Sequence, residues 1–334
     1  EGARHGPSLM PGGSKEAWKI AKPLLEKIAA KHDVPCVEYI GKGGSGHFVK
    51  MVHNGIEYAV MQLLAEAYDL ARSFSLVNEF VDQAKLWNQG RLEAFLVEVT
   101  EKVIAKRDKA TDKPLIDFIL DSAGQKGTGT WTASVALELG VATPTISAAV
   151  NARILSSRKT ERVNLARNCK IKNSLEPSES FFEDLEASLY LSFLLSFDQG
   201  MTLLKAASEE FNWELDRASV ASVWREGCIL RSKILSDLMR IYKHDLAISC
   251  ILFDEKILSE ALLAMPMLKN VLKYSIDQSI PCLAFGACHS YIESLLTENL
   301  PQNLTQAQRD FFGSHTYQRK DKEGVFHTNW NEKD

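Results

Sequence analysis

The 334-residue sequence predicts a mainly α-helical protein, with one helix–strand unit of a truncated α/β domain before a large all-helical domain. Three observations predict this class. After Gly46, apolar residues recur at helical spacing through most of the chain. One short β-like run, Cys36 to Ile40, predicts a strand, and no other stretch after it predicts one convincingly. Two long helical stretches also resemble each other at an offset of 137 residues, which makes an internal duplication a candidate feature of the fold.

The composition excludes several classes of protein. Hydrophobic residues make up 45% and charged residues 25% of the chain, as in ordinary globular proteins. A net charge of −4 provides no electrostatic footprint for nucleic acid or an anionic membrane. The longest uncharged apolar run, 187–197, is far shorter than the roughly 20 residues of a membrane helix. The six cysteines form no C-x-x-C pair. We therefore expect a soluble, cytoplasmic protein without a metal site.

The first 45 residues predict one helix and one strand. Ser14 is a candidate N-cap for the helix KEAWKIAKPLLEKIAAK, and PCVEYIG follows as a strand that ends at Gly41. A solitary strand leaves its backbone polar groups without partners. We therefore expect the last αβ unit of a parallel sheet whose other strands precede Glu1, which would make the chain a fragment. The alternatives are pairing with a partner chain or an irregular segment.

The remaining chain predicts helices separated by Gly- or Pro-marked breaks, at 46–73, 77–107, 114–121, 130–140, 145–157, 180–210, 216–242, 252–274, 282–297 and 303–312. The candidate repeat aligns Phe74 with Phe211, and Trp87-x-x-Gly90 with Trp224-x-x-Gly227. Each motif follows a long helix. Duplication and chance similarity both fit so few matched residues.

The first long helix has one polar face, formed by Lys50, His53, Asn54, Glu57 and Tyr58. Their spacing places them within an arc of roughly 140°. The other positions of this helix are mostly apolar, so the helix should be central, and polar groups there line a cavity or form a hydrogen-bonded network. At the repeat offset, the second copy has mainly apolar residues at the five corresponding positions. The alternative is a solvated surface face.

These residue types allow acid–base chemistry. Apolar neighbours disfavour the charged form of Lys50 and lower its pKa toward that of a general base. Glu57 lies two helical turns away on the same face and could act as an acid or orient a substrate. Asn54 can hold a carboxylate or a hydroxyl without titrating. The residues by themselves do not name the reaction.

A second candidate site is the glycine-rich stretch DSAGQKGTGTWT, residues 121–132, in which Lys126 and Thr128 offer a cation and a hydroxyl. This is not a Walker A loop, yet it suits a phosphate monoester bound at a helix N-terminus. A plain turn is the alternative. Arg153, on a mostly apolar helix, requires an anionic partner. Arg309 and His315 flank a helix stop, and singly each could be an ordinary surface residue.

Five stretches in one order resemble the 6-phosphogluconate dehydrogenase family: SLMPGG, GHFVKMVHNGIEY, DSAGQKGTGTWT, ARILSSRK and QAQRDFFGSHTY. The resemblance extends from Gly2 to Trp330. It implies NADP-dependent oxidative decarboxylation of 6-phosphogluconate to ribulose 5-phosphate and CO2 in the pentose phosphate pathway. The alternatives are a related β-hydroxyacid dehydrogenase, since GSGHFVKMVHN fits that broader pattern, and a non-catalytic helical dimerisation module.

The resemblance also implies a role for each polar residue of the first long helix. Lys50 would take the proton of the 3-hydroxyl as hydride leaves C3. Glu57 would assist protonation at C1 after CO2 is lost. His53 and Asn54 would hold the substrate near its carboxylate and reacting centre.

The remaining implied residues bind the substrate phosphate or come from a second subunit. The phosphate set would be Tyr58, Lys126, Thr128 and Arg153. A homodimer is implied, in which Arg309 and His315 reach the neighbouring subunit's site. The polar tail would either be disordered or lie across that subunit.

The implied domain organisation is a nucleotide-binding remnant at 1–44, a helical substrate and dimerisation domain at 45–314, and a C-terminal tail at 315–334 that reaches the partner. The family's glycine-rich G-x-G-x-x-G-type turn, which belongs to a Rossmann domain, is not in this sequence. The cofactor-binding residues are therefore unassigned, and we expect this chain alone not to turn over.

Overall fold

The computed structural model describes residues 2–167, 169 and 176–332. The chain divides into two compact units, Glu1–His289 and Ser290–Asp334. The outermost residues of the predicted domains, 1, 333 and 334, lie outside the described residues. No helix in the described part is both long enough and apolar enough to cross a membrane.

The predicted mainly α-helical class is confirmed. The described residues form α1 Gly2–His5, α2 Lys15–Ile28, α3 Ser45–Ser73, α4 Val77–Trp87, α5 Phe95–Ile104, α6 Thr128–Glu138, α7 Pro144–Ser157, α8 Lys159–Ala166, α9 Phe181–Glu210, α10 Arg217–Val223, α11 Ile234–His244, α12 Glu255–Asp277, α13 Leu283–Leu295 and α14 Gln302–Gly313. Two 3-10 turns, Leu115–Phe118 and Ile251–Phe253, complete the helical elements.

Helix α2 begins where predicted, because the Ser14 hydroxyl accepts a hydrogen bond from the Ala17 N–H at 3.1 Å. The predicted strand Cys36–Ile40 forms isolated bridges rather than a continuous strand, and it has a partner within the chain, so the expectation of a solitary strand was wrong. Isolated parallel bridges join Leu9 to Val37 and Gly12 to Gly41. The partner segment contains Pro11 and two glycines, and this composition does not predict a strand.

Two helices predicted as continuous are broken. The predicted helix 77–107 divides into α4 and α5, and the predicted helix 216–242 divides into α10 and α11. The two breaks pair with each other, since the Phe95 N–H donates to the Arg231 carbonyl and the Lys233 N–H to the Glu93 carbonyl, both at 2.9 Å. The predicted helix 114–121 is only a 3-10 turn, and α8 was not predicted.

The order of elements occurs twice, which supports the predicted duplication. Helices α3 to α7 correspond in order to α9 to α13, and each copy includes one 3-10 turn at the same place. The long helices α3 and α9 contain 29 and 30 residues and are followed by Phe74 and Phe211. The paired breaks occupy corresponding positions in the two copies. The chain therefore contains two similar halves that meet at these loops.

Each long helix also anchors the final helix of the other half. The buried Glu66 carboxylate on α3 accepts hydrogen bonds from the Ala284 and Phe285 N–H groups at the start of α13, at 2.8 and 3.0 Å. Gln199 on α9 accepts one from the Thr145 N–H at the start of α7, at 3.1 Å. All three bonds satisfy N–H groups that a helix leaves without internal partners.

Helix α3 is central to the larger unit because it packs against α9, α6 and α7. Its Ile56 lies against Gly200 of α9. On another face, Tyr58 packs with Ala149 and Val150 of α7. The polar residues of α3 are thus held by a helix that is surrounded by other elements.

Candidate active site

Three of the five polar residues of α3, Lys50, His53 and Asn54, form a row of polar contacts that reaches α6. The Lys50 amine lies 3.0 Å from His53 Nδ1, which lies 3.3 Å from Asn54 Oδ1. The Asn54 amide donates to the Thr128 hydroxyl at 3.2 Å. His53 and Tyr58 are buried, whereas Lys50 keeps solvent-exposed atoms although its amine is largely desolvated. The structure therefore joins the two stretches that the sequence singled out separately.

Two local features hold α6 against this face. Gly127 precedes α6 with a φ of 96°, a left-handed conformation that favours glycine, and it places Thr128 in the first turn. Gly55 allows α3 to approach closely, since a Cβ there would lie 2.6 Å from Thr132 Cγ2. The Thr132 hydroxyl also donates to the Met51 carbonyl at 2.9 Å. The Asn54–Thr128 contact thus depends on a close helix–helix contact.

Arg153 of α7 contacts both the polar face of α3 and the glycine-rich loop. Its guanidinium carbon lies 3.3 Å from the centre of the Tyr58 ring, a cation–π contact. Its Nη1 donates to the carbonyl of Gly124 at 3.4 Å, in the glycine-rich loop. Lys126 of the same loop is exposed and forms no hydrogen bond or ion pair in the described part of the chain. Both cations are associated with this loop, where an anion could bind.

The electrostatics of the α3 face favour proton transfer. Burial lowers the pKa of Lys50, while the charge of Glu57 acts in the opposite direction. Burial raises the pKa of Glu57, and the charges of Lys50 and Arg153 oppose that change. Burial, with the nearby Lys50 charge, lowers the pKa of His53 to about 3, so this imidazole is neutral near pH 7. An amine and a carboxyl shifted toward their neutral forms suit a base and an acid.

A cavity of about 480 Å³ opens beside Lys50. It is lined by residues 7–10, by the start of α3 and by residues 227–229. Two neighbours of the site were not predicted as such. The buried Trp224 ring packs edge-to-face with His53 at 5.5 Å between centroids, and its Nε1 donates to Met10 Sδ at 3.4 Å. The sequence signalled Trp224 only as a repeat marker.

Arg309 and His315 belong to the second compact unit, Ser290–Asp334. Both side chains are exposed, and Arg309 donates to the Gln306 side chain at 3.0 Å. Between them, the buried Asp310 carboxylate accepts hydrogen bonds from the following segment, through backbone and side-chain donors of Thr316, His327, Thr328 and Trp330. The described part of the tail is therefore ordered against α14.

Comparisons with known proteins agree on one family. The family model "6-phosphogluconate dehydrogenase, C-terminal domain" matches residues 46–330, and "NAD binding domain of 6-phosphogluconate dehydrogenase" matches residues 1–41. An NADP(+)-dependent, decarboxylating 6-phosphogluconate dehydrogenase of Bacillus subtilis is 44% identical, over 99% of this chain and 72% of the relative. A decarboxylating 6-phosphogluconate dehydrogenase of Synechococcus elongatus is 46% identical with the same coverage.

A solved structure agrees with these relatives. It is the Plasmodium falciparum 6-phosphogluconate dehydrogenase, studied in its apo form, with its cofactor NADP+ and with its substrate 6-phosphogluconate. Its TM-score is 0.93 at 42% identity, and the match covers 98% of this chain and 72% of that one. By its family matches, its identity to curated relatives and its fold, this chain belongs to the 6-phosphogluconate dehydrogenase family.

Proposed function

We propose that the polar face of α3 supplies the acid–base and substrate-binding groups for the NADP-dependent oxidative decarboxylation of 6-phosphogluconate to ribulose 5-phosphate, CO2 and NADPH. The observation that carries this assignment is the row of close polar contacts from Lys50 through His53 and Asn54 to Thr128. It joins an acid–base face to a glycine-rich loop that is in contact with Arg153. A phosphorylated hydroxy acid presents a reacting hydroxyl and an anion to these two parts.

The acid–base steps follow from the charge states of the face. Lys50, whose pKa is lowered by burial, takes the proton of the 3-hydroxyl while hydride leaves C3. The keto acid that results loses CO2 and leaves an enediol. Glu57, whose pKa is raised by burial, supplies the proton that C1 of the enediol requires.

NADP supplies the hydride acceptor when it is bound. The cavity beside Lys50 is large enough to hold the nicotinamide ring of NADP. Its volume of about 480 Å³ lies within the range of ligand pockets and exceeds the volume of a single aromatic ring. Residues 7–10 and Lys50 would hold the nicotinamide end. The residues that hold the pyrophosphate are not assigned.

Substrate recognition divides into two ends. Asn54 holds the substrate near its carboxylate through hydrogen bonds, and the buried, neutral His53 supports this end through its contacts with Lys50 and Asn54. The phosphate is bound by the residues around the glycine-rich loop, namely Tyr58, Lys126, Thr128 and Arg153. In this arrangement the Tyr58 ring keeps the Arg153 guanidinium in place, because the guanidinium stacks on the ring.

The proposal includes a homodimer in which each subunit supplies Arg309 and His315 to the neighbouring subunit's site. It also includes a cytoplasmic location and the domain division 1–44, 45–314 and 315–334. The homodimer is supported by exposed apolar side chains on α14, close in sequence to Arg309 and His315. Phe311 is 58% exposed and Phe312 is 72% exposed. Mixing Arg309→Ala with Arg153→Ala protein tests the dimer. Hybrid dimers should regain 6-phosphogluconate binding at one site in two, and no gain on mixing would contradict shared sites.

Ligand-induced thermal stabilisation tests the substrate. A ligand that binds only the folded state raises the unfolding free energy by about 2.7 kcal/mol at 100 times its Kd. We expect 6-phosphogluconate to raise the Tm more than gluconate does, and Lys126→Ala to remove most of that difference. Lys109→Ala, which alters an exposed lysine outside the site, is the control. Equal shifts with both ligands would contradict the phosphate assignment.

A further inference from the structure

The buried imidazole of His53 has one nitrogen without a hydrogen-bond partner. The residue has no solvent exposure, and Nδ1 contacts Lys50 and Asn54. No hydrogen-bond partner of Nε2 lies among the described residues. A buried N–H without an acceptor destabilises a protein by about 1–3 kcal/mol. Some other group must therefore interact with Nε2.

Trp224 is an aromatic neighbour of the His53 ring. Its ring is fully buried and meets His53 at an interplanar angle of 81°. The face of an indole carries partial negative charge and can accept an N–H. Because the indole's own Nε1–H is donated to Met10, the ring is tied to the segment that lines the cavity beside Lys50.

We propose that Trp224 is a positioning residue, whose indole face accepts the Nε2–H of His53 and so fixes the tautomer in which Nδ1 accepts a hydrogen bond from Lys50. The shorter contact at Nδ1 supports this tautomer, since the Lys50 amine lies at 3.0 Å and Asn54 Oδ1 at 3.3 Å. The amine carries hydrogens and the amide oxygen does not.

This inference rests on the proposed role of Lys50 as the base. An amine that donates one N–H to His53 loses rotational freedom and keeps its lone pair for the substrate proton. Once the amine has taken that proton, the same nitrogen of His53 stabilises the ammonium. Trp224 acts on the reaction only through His53 and does not touch the reacting atoms.

The internal repeat provides a matched control. Trp87 lies 137 residues before Trp224, at the corresponding position of the first half. It is also buried, but it packs edge-to-face with Phe80 at 5.5 Å and has no member of the α3 polar face as a ring partner among the described residues. Trp224→Leu and Trp87→Leu therefore remove equal side chains from equivalent places in the fold. Only the first variant removes the ring against His53.

The test uses this chain without substrate or cofactor. Nitrogen-15 NMR of histidine-labelled protein, assigned with His53→Gln, reports which ring nitrogen of His53 is protonated. We expect protonated Nε2 in the wild type and in Trp87→Leu, and mixed tautomers in Trp224→Leu. The rate at which an amine reagent modifies Lys50, followed against pH by peptide mass spectrometry, should shift its midpoint by about one pH unit in Trp224→Leu alone.

Two results would overturn the proposal. One is a wild-type His53 protonated at Nδ1. The other is a folded Trp224→Leu protein whose His53 tautomer and Lys50 profile match those of the wild type. If Trp224→Leu does not fold, Trp224→Phe keeps a ring face and should retain the wild-type tautomer, and its loss would equally count against the proposal. Failure of 6-phosphogluconate to bind, with the expected tautomer present, would refute the proposed function and leave this inference standing.

Discussion

Replacing Gly55 with alanine tests the close contact that holds α3 against α6. The new Cβ would lie 2.6 Å from Thr132 Cγ2 and 2.9 Å from Thr132 Cβ. Thr132 cannot easily yield, because it is buried and its hydroxyl is bonded to the Met51 and Thr128 carbonyls, both at 2.9 Å. The two helices must therefore move apart.

The expected magnitude combines two opposing effects. Overpacking a well-packed core destabilises by about 1–3 kcal/mol. Alanine in a helix interior is favoured over glycine by about 0.8–1.0 kcal/mol. We expect Gly55→Ala to lower the unfolding free energy by up to about 2 kcal/mol. Gly286→Ala is the control, since a Cβ at that position in α13 meets no atom within 4 Å and should stabilise by about 1 kcal/mol.

Urea denaturation measures both variants, with the midpoint and the slope fitted separately. Thr132→Ser, which removes only Cγ2, should restore part of the stability lost in Gly55→Ala. Binding of 6-phosphogluconate should weaken as well, because the Asn54–Thr128 contact spans the same two helices. If Gly55→Ala proves as stabilising as Gly286→Ala, the close contact is not present in solution.

Three further predictions concern charge. Burial raises the pKa of Glu66 to about 7 against the hydrogen bonds it accepts, so the folded state holds its proton more tightly than the unfolded state does. The unfolding free energy should therefore fall as pH rises from about 4.3 to 7, and Glu66→Gln should remove this slope in urea titrations. Arg153→Lys, which cannot stack on Tyr58 as a planar group, should weaken 6-phosphogluconate binding about tenfold or more in calorimetry. Asp310→Asn replaces the carboxylate that accepts the Trp330 N–H, and limited proteolysis should cut the tail faster.

Each of these variants has a control elsewhere in the chain. Glu161→Gln and Arg158→Lys alter an exposed ion pair, and Asp321→Asn alters an exposed carboxylate of the tail paired with Arg319. None of the three should reproduce the effect of its counterpart, because surface ion pairs contribute about 0–1 kcal/mol. A pH slope that survives in Glu66→Gln, or tail cleavage equal in both Asp variants, would contradict the assignment concerned.

The sequence predicts the helices well where local spacing determines them. The bounds of α3, α7 and α9 agree with prediction to within one residue, because each is long and strongly periodic. The break between α4 and α5 escaped prediction because it depends on distant pairing with residues 231–233. The same holds for the partner of the Cys36–Ile40 segment, which contains proline and glycine.

The candidate site divides in a similar way. The spacing of Lys50 and Glu57 places them on one face, and this follows from helix geometry alone. The stacking of Arg153 on Tyr58 and the contact of Trp224 with His53 join residues that are 95 and 171 positions apart. Periodicity within one helix carries no information about such contacts, so only the folded chain reveals them.

The exchanged anchoring of the two halves bears on how the chain folds. The Gln199–Thr145 bond spans 54 residues and the Glu66–Ala284 bond spans 218. Neither half can satisfy the start of its own final helix until the other half's long helix is in place. The halves thus resemble two domain-swapped subunits within one polypeptide. Such non-local contacts slow folding. They also connect α3, which carries the polar face, to residues near the C-terminal end of the larger unit, which are synthesised after the rest of that unit.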